Sequence, residues 1–96
     1  MKYSFTDKAE KDLEGIIDFT RAHWGIHQAS EYIDGLVRTA MNIAQYPAIG
    51  TQRFRLAPDL YSFPYEKHIL YYTQDTDKII IVRVLHTSMD PLIHIK

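Results

Sequence analysis

The sequence predicts an α+β domain: an N-terminal strand, an antiparallel helix hairpin, then a three-stranded antiparallel meander. Three observations predict it. Residues 79–85 are a run of seven in which only Arg83 is not apolar, and most are β-branched, a type that packs well on a pleated surface. Two stretches with helical apolar spacing lie almost end to end ahead of it. Between these and the run stand two further short segments with strand character, separated by turn residues. With 96 residues, the chain is expected to fold as one domain over 1–96.

Residues 1–5 alternate apolar with polar, Tyr3 and Phe5 sharing a face, as in a short strand. Thr6 or Asp7 offers a helix cap, and Asp7 with Glu10 has the form of a capping box. Ala9, Leu13, Ile16, Ile17, Thr20 and Trp24 then fall on one helical face, with charged residues elsewhere. Trp24 is expected to plug the space between this helix and the sheet. Gly25 is placed to end the helix in a left-handed cap. Ala29, Ile33, Leu36, Val37, Ala40, Ile43 and Ala44 repeat the spacing, and Tyr46-Pro47 stops it. So short a connection makes the two helices antiparallel.

Residues 48–52 read as a loop, and 53–56, alternating charged and apolar, as a short edge strand or extended loop. Residues 60–65 place Tyr61, Phe63 and Tyr65 on one face, while Pro64 argues against a central position. Glu66-Lys67 is the corner, 68–73 returns, and 74–78 turns into the apolar run. A run without alternation suits a strand covered on both faces. Its one cation, Arg83, must reach a carboxylate, the sheet end or solvent; Asp90 and the helix carboxylates are the candidates. His86 leaves the same strand.

Composition excludes several classes. There is no cysteine, so neither disulfides nor a thiolate metal site. None of the five histidines forms a zinc-protease pair, and no metal or other cofactor is expected. No glycine-rich phosphate loop and no apolar run of membrane-spanning length occurs. A net charge of −1 argues against sequence-specific nucleic-acid binding. A cytoplasmic location without membrane association is expected. One catalytic reading stays open, RNA cleavage, if Arg53, Arg55, Lys67, Tyr65, Arg83 and His86 converge on one sheet face.

The segment 60–90 also resembles a known family. Leu60, Ser62, Phe63, Pro64, Tyr72, Arg83, Val84, Leu85, His86 and Asp90 match the pattern of the ParE branch of the RelE/ParE toxin superfamily, whose members are toxins of bacterial type II toxin–antitoxin modules. Two positions depart. Tyr61 stands where relatives usually carry arginine, and Thr87-Ser88-Met89-Asp90 replaces their glycine-X-arginine-aspartate. The resemblance implies the RelE/ParE toxin-like fold, a cognate ParD-like antitoxin, and inhibition of DNA gyrase by protein–protein binding. For RelE-type members it implies instead a ribosome-dependent mRNA endonuclease, with Arg55, Arg83 and His86 as its catalytic residues. Arg53, Arg55, Tyr61, Arg83, His86, Met89 and Asp90 are the expected target- or antitoxin-binding residues. The loss of two cations also leaves room for a purely regulatory module.

Overall fold

A computed structural model describes residues 2–95. Its elements are β1 (Lys2–Phe5), α1 (Asp7–Trp24), α2 (Ile26–Gln45), a 3₁₀ turn (Pro47–Ile49), β2 (Thr51–Gln52), β3 (Tyr61–Tyr65), β4 (His68–Gln74), β5 (Lys78–His86) and a four-residue helix, α3 (Pro91–His94). The sheet has five strands in the order β1-β5-β4-β3-β2. β1 runs parallel to β5, and every other pair is antiparallel. The expected strand, helix hairpin and meander are all present. The fifth strand, β2, precedes residues 53–56, which turn rather than extend: Leu56 N–H returns to the Arg53 carbonyl, and Leu56 and Ala57 pack on the sheet.

The helices cover one face. Ala9, Ile16, Leu36, Ala40 and Ile43 pack there against Leu70, Tyr72, Ile79, Ile81 and Val84, with Tyr61, Phe63 and Tyr65 at the margin. The outer face is thinly covered: Leu60, Tyr71, Leu85 and Ile95 form a small cluster roofed by the 56–60 loop and the C-terminal end. β5 lies between β1 and β4 and is buried from both sides, as its unbroken apolar run requires.

A β-bulge decides where β5 aims its side chains. From Gln74↔Ile79 to Tyr72↔Ile81 the β4–β5 register is regular, but the next pair is Tyr71↔Arg83, so Val82 is the extra residue. Side chains alternate with period two. An unbulged strand would therefore send Arg83 and Leu85 to the same face as Ile79 and Ile81. The bulge instead puts Val84 into the helix-side core and Leu85 into the outer cluster. Thr6 braces this point, with its N–H donating to the Ile81 carbonyl and its hydroxyl to the Val82 carbonyl. The same hydroxyl accepts from Ala9 N–H, so Thr6 is the cap and Asp7 the first helical residue.

Two expectations about the hairpin are corrected. Gly25 has φ 92° and ψ 167°, a positive φ that favours glycine but with extended ψ, so one residue ends α1 and starts α2 without a left-handed helical cap. Trp24 is 73% exposed and plugs nothing. Residues 21–28 are all exposed, because the tip of the hairpin projects past the sheet it would have to cover.

Candidate functional site

Two groups of side chains stand out, at opposite ends of the sheet. At the β3–β4 corner, the bulge-shifted register places His68 directly opposite His86, with ring centroids 5.3 Å apart and nearly perpendicular. Tyr32 of α2 reaches this pair. Its hydroxyl lies 2.7 Å from His68 Nδ1 and accepts the Lys67 N–H at 3.3 Å. His86 Nδ1 accepts the Ser88 N–H at 3.0 Å and sits 2.8 Å from the Ser88 hydroxyl. Thr87 N–H then closes onto the Lys67 carbonyl. Tyr65 packs edge-on against Tyr32, and Gly35 makes room for it, since a Cβ there would collide with the Tyr65 ring. Burial, reinforced by the neighbouring His86 and opposed by Asp12, lowers the His68 pKa to about 4. Burial raises that of the Tyr32 phenol.

At the other end, Arg53 and Arg55 are exposed on the turn after β2. Arg53 donates from Nε to the Ser62 hydroxyl. Between the two arginines Phe54 is 50% exposed; its ring meets Tyr61 edge-on, and Tyr61 stacks on the buried Tyr72. The Tyr72 hydroxyl donates to the Pro47 carbonyl and accepts from Gly50 N–H. Tyr61, which stands where an arginine was expected from the resemblance, is thus a packing residue that anchors the turn.

Arg83 belongs to neither group. Its Nε and Nη2 grip both oxygens of Asp12 at 2.8 and 2.9 Å, and Nη1 donates to the His94 carbonyl at 2.8 Å. The same carboxylate accepts the Val84 N–H. Of the two partners open in the sequence, the helix carboxylate is the one used. The hydrogen bonds to Asp12 raise the Arg83 pKa. Asp90 caps α3 by accepting Leu92 N–H, and Met89 is 45% exposed beside it.

The six residues considered for RNA cleavage therefore divide. Tyr65, Lys67 and His86 share one end, Arg53 and Arg55 the other, and Arg83 is engaged between them. Tyr61 faces Tyr72 and His86 faces His68, four positions apart on β4, about 13 Å at roughly 3.3 Å per residue. No three His, Asp or Glu side chains among the described residues are placed to hold a metal ion. Two features escaped the sequence reading. The His68–His86 pair depends on the bulge, since a regular register would set His68 against Leu85. Asp12 falls among the charged residues of a solvated helix face, and Tyr32 is not among the residues that the second helical spacing marks.

Comparison with known proteins identifies the group to which this architecture belongs. The family model described as "ParE toxin of type II toxin-antitoxin system, parDE" matches residues 3–91. The chain belongs to the ParE toxin family. Toxin ParE1 of Mycobacterium tuberculosis is 32% identical over 93% of this chain and 92% of its own length. Toxin ParE of Escherichia coli is 32% identical, covering 92% and 86%, and toxin ParE1 of Caulobacter vibrioides 29%, covering 97% and 96%. Among solved structures, a chain of the chromosomal ParDE system from P. aeruginosa shares the fold with a TM-score of 0.77 at 22% identity, covering 90% of this chain and 95% of that one. The YoeB–YefM toxin–antitoxin complex of Staphylococcus aureus is more distant, with a TM-score of 0.58 at 17% identity over 86% and 92%. This ParE-family chain is accordingly a type II toxin, and the α+β architecture is the one its relatives use.

Proposed function

We propose that this toxin acts by binding DNA gyrase and that a cognate antitoxin neutralises it. Family membership supports the general role. The observation that carries the choice of binding over chemistry is the separation just described. Cutting a phosphodiester needs a base, an acid and cationic stabilisation around one scissile bond. Here Arg55 and His86 lie at opposite ends of the sheet, and Arg83 is spent on Asp12 and the C-terminal backbone. The net charge of −1 also suits a protein partner better than the ribosome or free RNA. Arg53, Arg55 and the exposed Phe54 are the side chains best presented to such a target.

For the antitoxin, the outer sheet face offers an open apolar groove of about 410 Å³ between the start of α1, the 57–60 loop and the C-terminal end. Ala57, Leu60, Val82 and Ile95 line it, together with the ionisable Asp7, Lys8, Arg83 and His94. An amphipathic segment with acidic flanks fits that description. Both structurally similar chains come from toxin–antitoxin systems.

Gyrase assayed on relaxed plasmid in the presence of the purified protein should lose supercoiling activity and accumulate linear, cleaved DNA. Normal supercoiling at saturating protein would overturn the reading. Cleavage of ribosome-bound mRNA that disappears in His86→Ala would establish the endonuclease in its place.

A further inference from the structure

The sheet end that carries His68 and His86 holds more polar order than a hairpin corner needs. Three segments meet there: α2 through Tyr32, the β3–β4 corner through Lys67, and the exit of β5 through His86 and Ser88. Each is fastened to the next by a backbone N–H: Lys67 to Tyr32, Ser88 to His86, and Thr87 to the Lys67 carbonyl. Both imidazoles enter this network through Nδ1.

A backbone donor fixes the His86 tautomer. A backbone N–H can only donate, so His86 Nδ1, which receives Ser88 N–H, carries no proton. The neutral His86 ring therefore keeps its proton on Nε2. The Tyr32 hydroxyl accepts from Lys67 N–H and lies within hydrogen-bond distance of His68 Nδ1, a contact that either His68 tautomer can make. Protonating His86 places an N–H against the Ser88 N–H, which can only donate, and charging His68 as well sets like charges 5.3 Å apart. From these contacts we infer that the His68–His86 pair is an acid-sensitive latch, closed while both rings are neutral, which holds the 87–90 turn against the β3–β4 corner. Its opening releases the turn that presents Met89 and Asp90.

Asp12 of α1 favours a charged His68 but is itself held by Arg83. The other ionisable groups where these elements meet are Tyr32 of α2, Tyr65, Glu66 and Lys67 of the corner, and Asp90 of the turn. The depression of the His68 pKa by burial and by His86 agrees with a ring kept neutral at neutral pH. This latch goes beyond target choice and holds whichever partner the toxin engages.

Amide exchange of the intact protein, corrected for intrinsic rates, tests it. Protection at Lys67, Thr87 and Ser88 should fall by about tenfold or more between about pH 7.5 and about pH 4, while Ile81 in the body of β5 keeps its protection. Equal protection of the turn amides across that span would overturn the latch. His68→Gln with His86→Gln supplies acceptors that do not titrate, and should flatten the response; a double variant that still loses protection would also overturn it. Imidazole ¹⁵N shifts of the unmodified protein give a reading independent of those variants. They should show the His86 proton on Nε2 at neutral pH, and a proton on its Nδ1 contradicts the inference.

Discussion

Asp12 gives its carboxylate to three donors at once: the Arg83 guanidinium at two points and the Val84 N–H. The side chains of the pair are only 15% and 19% exposed, so removing one partner strands the other in a poorly solvated place. Asp12→Ala should lower unfolding free energy by about 3 kcal/mol in urea titrations. Asp12→Ala combined with Arg83→Met should cost less than the two changes summed. His68 sets the acid side of stability. Its folded pKa of about 4 lies below the ordinary 6.5, so between these values the unfolded chain binds more protons. Stability then falls as pH drops from about 6.5 to about 4 and is regained on the way up. Thermal melts across that window should show the slope, and His68→Gln should reduce it.

Among the elements, β5 and the start of α1 work as one unit. β1 ends at Phe5, and from there Thr6 and Asp12 replace it as hydrogen-bonding neighbours of β5. Thr6→Ala removes both the helix cap and the brace on the Val82 carbonyl, and should cost about 1–2 kcal/mol by denaturant melts. Deleting Val82 should straighten the strand and leave the faces of Arg83, Val84 and Leu85 as they are, because Tyr71↔Arg83 then follows Tyr72↔Ile81 directly. The chain should keep a cooperative denaturant transition and lose only the Thr6 brace and the Val82 packing. The elements themselves were legible because their apolar periods are unambiguous: the spacing from Ala9 to Thr20 and the run 79–85 admit one reading each. The bulge was not legible, because an extra residue in a continuous apolar run disturbs no pattern. Arg83 was the visible trace of it, a cation at a position that parity assigned to the core.

At the scale of the molecule, the two ends of the helix layer differ. Near the sheet the hairpin is packed, whereas at its tip Phe19, Trp24 and Ile26 are 62%, 73% and 73% exposed. Trp24→Ala should therefore leave stability within about 0.5 kcal/mol of the parent; its thermal melt against that of the unmodified toxin checks this. The sequence misplaced Trp24 because periodicity assigns a face without saying where the sheet beneath it stops. The site was only partly readable for a related reason: residue types suggested a gathering of cations and imidazole, while strand topology divided them between two ends and the bulge chose what His86 faces. The effect of a one-residue indel here therefore depends on whether it takes the unpaired position or a paired one. Chains of this lineage that shed the extra position should keep the arginine that follows, since its partner across the strand is unchanged, and an alignment deep enough to track both would find the gap without loss of the cation.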